Sequence, residues 1–188
     1  EALNNGIEKG VKQLSIKDGY FKDEQIKLLM PEEALQVESK LRKLGQGSKV
    51  DAMIESMNRA AEDAASSSKE LFVSAIKNLS VNDAMSILKG EDNAATVYLS
   101  SETRTQLIAK FKPIIKTSLD KVGATKHWTT VFNSYNKIPM VQKVNPDLVG
   151  YATDKAIDGL FIQIAKEELE IRKNPAARVT DLLKKVFK

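Results

Sequence analysis

Apolar side chains recur every three or four residues along almost the whole chain, and this spacing constrains the fold more than any other feature. Such a period places them on one face of an α-helix, whereas a half-buried strand alternates apolar and polar residues. With 188 residues, 42% of them hydrophobic, the chain is long enough to bury a sizeable core. The pattern predicts an all-α fold in which residues 1–188 form one compact domain of about seven to nine helices.

Capping and turn-forming residues divide the first part of this pattern. Residues 3–14 predict a first helix, and residues 20–30 are assigned to a loop or a short extended piece. A second helix is expected over residues 31–45, from a proline suited to the first turn to a glycine suited to the end. Ser48 is the expected N-cap of the third helix, which three serines at 66–68 interrupt.

The middle of the chain contains further start and stop signals. Ser80 and Asp83 have the spacing of a capping box and predict a short helix. Ser101 is expected to begin a longer helix, and Pro113 inside it is expected to kink or divide that helix. One more short helix is expected over residues 127–135.

Two Asn-Pro pairs begin the helical patterns of the last quarter. Asparagine caps free amides at a helix start, and proline is suited to the first helical position. We therefore predict a long helix after residue 145, a break at residues 174–175 and a short amphipathic terminal helix. The terminal helix is expected to dock on its own domain, on a second copy or on another partner. Its apolar face consists of Val179, Leu182, Leu183, Val186 and Phe187.

Charge and cysteine content exclude several classes of protein. The net charge of +4 is uneven, since residues 51–100 carry −4 and residues 101–150 carry +5. No basic motif rich in aromatic residues accompanies the positive part, so a nucleic-acid partner is not favoured. No apolar run approaches the roughly 18 residues of a transmembrane helix. The absence of cysteine excludes disulfides and zinc–thiolate sites.

The C-terminal block has a distinctive mixed pattern, DGLF-x-x-IA-x-EE-x-x-IR-x-NPAAR-x-TDLLKKVF. With this block, EALNNGIEKGVKQLS, MPEEALQVESKLRKLGQGSKVDAMIESMNRAAEDA and AATVY, the chain resembles the bacterial domain-of-unknown-function family 4197. The resemblance covers essentially the whole chain and implies an all-helical fold. It also implies a periplasmic or lipid-anchored location in the cell envelope, since members usually carry an export signal or a lipoprotein leader. It implies no activity.

Two groups of polar residues are candidates for binding a ligand. Asn58, Arg59 and Glu62 interrupt an otherwise apolar helix, and Arg172 and Arg178 flank the C-terminal break. Arginine binds carboxylates and phosphates through two parallel hydrogen bonds, so either group is able to hold an anion. The alternative, which we favour, is a buried polar network that locks the helices in place.

Candidate catalytic groups are few. Asp154 and Asp158 share a helix face and, with Glu167, Glu168 and Glu170, are able to supply oxygen ligands to a hard cation. The Glu-x-x-His pairs of di-metal bundles are absent, so a solvated face with ion pairs is favoured and no metal or other cofactor is predicted. His127, beside Trp128, is more typical of a surface or half-buried histidine than of a general base.

Three functional hypotheses follow. The leading one is a non-enzymatic binding or scaffold module, because the chain combines no catalytic motif with an amphipathic end and uneven charge. The second is a small-ligand or lipid carrier with a pocket between helices. Its aromatic lining would consist of Phe111, Phe132, Phe161 and Tyr151. The third is a carboxylate- or metal-dependent hydrolase that uses Asp158, Glu167 and His127.

Overall fold

The computed structural model describes residues 1–174, which form eight α-helices and no strand. The helices are α1 (Ala2–Leu14), α2 (Leu35–Lys43), α3 (Gly47–Ala65), α4 (Lys69–Lys77), α5 (Val81–Lys89), α6 (Ala94–Lys121), α7 (Ala124–Tyr135) and α8 (Leu148–Lys173). Short 3-10 turns precede α2 (Glu32–Ala34) and join α3 to α4 (Ser66–Ser68). The all-α prediction is confirmed, and this part of the chain has seven helices if α3, its turn and α4 are taken as one.

The two longest helices, α6 and α8, form the centre of the molecule. They pack against each other, α3 packs on α6, and α1 packs on α8. Leu107, Phe111 and Ile115 of α6 are fully buried in one continuous hydrophobic core. Burial of such side chains stabilises the fold by roughly 1.5–3 kcal/mol each. The core therefore fixes the helices on which any surface site is built.

The segment between α1 and α2 folds as a series of turns without a strand. Tyr20 anchors it, because its hydroxyl donates a hydrogen bond to the carbonyl of Ala156 at 2.8 Å. The Tyr20 ring lies against Gly159, where an added Cβ would be 2.7 Å from a ring carbon. Glycine at this position therefore lets the segment pack tightly on α8.

Local capping signals predict some helix ends correctly and others not. The capping box of Ser80 and Asp83 is present at the start of α5, as predicted. Ser48 is not an N-cap, because Gln46 takes that position and α3 begins at Gly47. At the start of α8 the N-cap is Asp147, whose carboxylate accepts the N–H of Gly150 at 2.8 Å. The predicted cap at residue 145 is therefore displaced by two residues.

The start of α6 differs most from the sequence-based expectation. The helix begins well before Ser101, and it continues through Pro113 without being divided. The carboxylate of Glu168 on α8 accepts the N–H groups of Ala95 and Thr96 at 2.9 and 2.8 Å. A side chain distant in sequence thus replaces a local cap, and such a contact leaves no signal in the neighbouring residues.

The end of α8 agrees with the predicted break. The helix ends at Lys173, and Asn174 has extended backbone angles of φ −106° and ψ 107°. The predicted terminal helix, including Arg178 and its apolar face, lies outside the described residues. Within residues 1–174, none of the helices is both long and apolar enough to cross a membrane.

Candidate functional site

A groove of about 900 Å³ lies between α3 on one side and α7 with the end of α6 on the other. We call it the α3–α7 groove. Along α3 it extends from Lys49 to Asp63, which corresponds to about 21 Å of helix. Its apolar surface consists of Met30, Leu41, Val50, Met53, Val122, Trp128, Val131 and Phe132.

Both walls of the groove rest on the two central helices, because α7 packs on α6 and α8, and α3 packs on α6, α8 and α2. Gly123 turns the chain between α6 and α7 with a left-handed φ of +69°, a conformation that other residues adopt at a cost. Trp128 and Phe132 line the groove although each is only 2% exposed, and their ring centroids are 4.2 Å apart. Trp128 also donates from Nε1 to the carbonyl of Asn145 at 3.1 Å. The hydrogen bond to Asn145 holds α7 against the segment that precedes α8, on the side of the groove opposite α3.

The polar rim of the groove carries two kinds of side chain. Some already have partners, such as Asp63, whose carboxylate accepts from the Ser118 hydroxyl at 2.7 Å across the end of the groove. Lys49, Lys121 and His127 also lie on the rim. The side chains of these three form no ion pair or hydrogen bond with any other residue among the described residues 1–174. The ammonium groups of Lys49 and Lys121 are therefore available to a ligand on opposite sides of the groove.

Asn58 and Glu62, both predicted as ligand-binding residues, hold the α1–α2 segment against α3. The Asn58 side chain is fully buried and pairs with both the N–H and the carbonyl of Leu28, at 2.9 and 2.8 Å. One carboxylate oxygen of Glu62 accepts the N–H groups of Tyr20 and Phe21 at 3.1 and 3.2 Å. Their observed partners are backbone groups that would otherwise be buried without hydrogen bonds, which is costly.

Arg59 connects this network to the groove, which it also lines. It donates to Glu62 at 2.8 Å, to Asp18 at 2.7 Å and to Glu55 at 3.1 Å. Hydrogen bonds from Lys22 and Arg59 hold the pKa of Asp18 below its ordinary value. Because three carboxylates surround Arg59, an anionic ligand would have to displace one of them to obtain a bidentate contact.

Arg172, from the second predicted group, lies at the other end of α8. It donates to Glu168 from Nε at 3.0 Å and from a terminal nitrogen at 2.8 Å. That nitrogen also donates to the carbonyl of Ile87 on α5 at 2.8 Å. With the amides that Glu168 accepts at the start of α6, this contact joins three helices. The observed hydrogen bonds are of the kind expected for a buried polar network that locks the helices in place.

The groups considered for hydrolysis are not brought together. Asp158 pairs with Arg104 at 2.7 Å, and Glu167 pairs with Lys9 at 2.7 Å. The two carboxylates lie about 13 Å apart along α8. His127 is instead on α7, where it lines the groove. Within residues 1–174 there is also no group of three or more His, Asp or Glu side chains able to hold a metal ion.

Most of the residues that line the groove were not predicted from the sequence. All three phenylalanines of the aromatic lining expected for a carrier are buried, and of these Phe132 lines the groove whereas Phe111 and Phe161 do not. The groove-lining residues of α7 instead include Trp128 and Val131, at i, i+3 and i+4 with Phe132. Val131 is 40% exposed. The apolar stripe at this helical spacing was the signal available in the sequence.

These features define an all-helical protein with an apolar groove at its surface. The chain belongs to the family described as "Protein of unknown function (DUF4197)", whose model matches residues 1–188. The resemblance inferred from the sequence blocks is thereby confirmed over the whole chain. No curated protein and no solved structure matches it.

Proposed function

We propose that the protein is a non-enzymatic binding module that holds a small amphipathic molecule, with an apolar body and an anionic head, in the α3–α7 groove. The observation that carries this proposal is the apolar surface of the groove, at a volume of about 900 Å³. Sites for small molecules are concave, mostly apolar and roughly 300–1,000 Å³ in volume. Covering such a surface is favourable by about 25 cal/mol per Å² of apolar area.

The charges on the rim favour an anionic head over a cationic one. Glu55 and Asp63 are engaged by Arg59 and Ser118 respectively. A carboxylate or phosphate reaching Lys49 or Lys121 would form charge-assisted hydrogen bonds, which are stronger than neutral ones. This proposal combines the binding-module and carrier hypotheses. A location in the cell envelope is proposed with it, on the family resemblance alone.

The fluorescence of Trp128 reports on binding, because this residue is the only tryptophan in the chain and lines the groove. We would titrate the protein with a long-chain fatty acid and, separately, with an alkyl-trimethylammonium ion of the same chain length. We expect a saturable change in tryptophan fluorescence with the fatty acid at lower concentration than with the cation. Equal responses to both amphiphiles would refute the anionic head, and no saturable response to either would refute the binding site.

A pair of matched variants distinguishes the groove from general hydrophobic adsorption. Val131→Asp places a charge in the groove, and Ile162→Asp places one at an equally exposed apolar position on α8, since the two residues are 40% and 41% exposed. Ile162 does not line the groove. We expect Val131→Asp to weaken binding at least about tenfold, equivalent to 1.4 kcal/mol, and Ile162→Asp to leave it unchanged. Equal loss in both variants would contradict the assigned site.

A further inference from the structure

The two lysines on the rim of the α3–α7 groove lie near opposite ends of its length. Lys49 is in the first turn of α3, and Asp63 is about 21 Å further along the same helix. Ser118 of α6 donates to Asp63 at 2.7 Å, and Lys121 follows Ser118 by one turn, or about 5 Å. Lys121 is therefore near the Asp63 end of the groove, and Lys49 is at the other end.

The imidazole of His127 lies at the same end as Lys121. A Cβ added to Gly123 would be 3.5 Å from Cδ2 and 3.6 Å from Nε2 of His127, so the ring lies against the turn that joins α6 to α7. This turn directly follows Lys121, the last residue of α6. The side chains of Lys121 and His127 both line the groove. We call the part of the groove at Lys121, Gly123 and His127 the turn end.

The opposite end of the groove is mostly apolar. Leu41 lies beside the start of α3, because its carbonyl accepts the N–H of Gln46 at 2.9 Å. Val50 and Met53 follow in the first two turns of α3, and they line the groove together with Leu41. Of the groove-lining residues in these two turns, only Lys49 is charged. An apolar chain that extends along α3 from the turn end would cover these apolar side chains.

Other charged side chains face or flank the turn end, but their charges are constant near neutral pH. They are Glu55, Arg59 and Asp63 of α3, Asp120 of α6 and Lys126 of α7. Glu55 pairs with Arg59, Asp120 pairs with Lys116, and Asp63 accepts from an uncharged hydroxyl. Lysine, arginine, aspartate and glutamate side chains of ordinary pKa keep their charge between about pH 8 and pH 5, whereas histidine gains one. Because His127 is the only histidine in the chain, acidification in this range adds a positive charge to the turn end at His127.

We propose that the anionic head of the ligand binds at the turn end, beside Lys121 and His127, while its apolar body extends along α3 toward Leu41 and Val50. This inference rests on the proposed function and adds the orientation of the ligand and a dependence of binding on pH. The imidazole becomes a second cation beside the head when it gains a proton, and opposite charges at short distance attract each other. Binding of an anion therefore tightens as the pH falls from 7.5 to 5.5, and by linkage the bound anion favours the charged imidazole by the same factor.

Isothermal titration calorimetry with decyl sulfate and with decan-1-ol at low ionic strength tests this inference. The sulfate head keeps its single negative charge at both pH values, so a change in affinity comes from the protein, and the alcohol has the same chain without the charge. We expect decyl sulfate to bind about threefold more tightly at pH 5.5 than at pH 7.5, a factor typical of an exposed ion pair, and decan-1-ol to bind equally at both. His127→Gln should abolish this difference. The matched control Lys126→Gln, which removes a neighbouring charge that does not line the groove, should retain it.

The outcomes distinguish a failure of this inference from a failure of the proposed function. Decyl sulfate that binds equally at both pH values, or a pH dependence that persists in His127→Gln or appears equally with decan-1-ol, would overturn the inference and leave the groove as a binding site. A larger loss of affinity in Lys49→Gln than in Lys121→Gln would also overturn it, because the head would then lie at the opposite end. Absence of binding of both compounds at both pH values would overturn the proposed function as well.

Discussion

Replacing Glu168 with alanine tests the contact that joins the ends of α5, α6 and α8. Its carboxylate accepts five hydrogen bonds, two from backbone amides of α6, one from the Thr96 hydroxyl and two from Arg172. The side chains of Glu168 and Arg172 are only 5% and 12% exposed. The substitution leaves the arginine charge without this partner in a poorly solvated position. Breaking a buried pair in this way costs about 3–5 kcal/mol, and the amides lose their cap as well.

We therefore expect Glu168→Ala to lower the free energy of unfolding by about 4 kcal/mol, measured by urea titration followed by circular dichroism. For a protein of this size the melting temperature should fall by roughly 8–16 °C. The control is Asp154→Ala, an exposed carboxylate on the same helix, for which we expect a change within about 0.5 kcal/mol. A loss at Glu168 no larger than at Asp154 would refute the reasoning.

Three further predictions concern the α1–α2 segment and the terminal segment. Asn58→Leu removes both partners of the Leu28 backbone, so unfolding in urea should become easier by about 2–3 kcal/mol; a loss below 0.5 kcal/mol would contradict this. A hydrogen bond from Lys22 lowers the pKa of Asp18 in the folded protein. The stability that Asp18 contributes is therefore fully present above the pKa of Asp18 in the unfolded chain. It is lost as the pH falls through the lower pKa of the folded protein. Asp18→Asn should consequently flatten the fall of melting temperature below about pH 4, and an unchanged acid profile would count against it. Deletion of residues 176–188 should lower the melting temperature, and an unchanged value would show that the segment does not stabilise the fold.

The helical elements were predictable where local groups determine them. The capping box at Ser80 and Asp83 and the break at Asn174 depend on neighbouring residues, and both predictions are confirmed. The start of α6 was placed wrongly at Ser101 because its cap comes from Glu168, 72 and 73 residues further along the chain. A contact between distant residues has no periodicity or spacing by which a single sequence reveals it.

The candidate site shows the same limit. Asn58 and Glu62 stood out as polar residues in an apolar helix, and the structure shows both of them buried. The sequence could not specify whether their partners were a ligand or the protein backbone, because either satisfies the same hydrogen-bonding groups. The α3–α7 groove depends on how far apart two helices are held, and that distance depends on how α3 and α7 each pack on α6 and α8. The apolar residues of the groove can be identified from the sequence, but their exposure to solvent cannot.

Native mass spectrometry of protein purified without denaturant tests the central claim most directly. If the groove binds an amphipathic anion, the wild-type protein should retain such a molecule, or a fatty acid added in its place, as a one-to-one complex. Val131→Asp should lose that complex, while Ile162→Asp should keep it. Wild-type protein that remains free of ligand after fatty acid is added, or a complex that survives unchanged in Val131→Asp, would contradict the account.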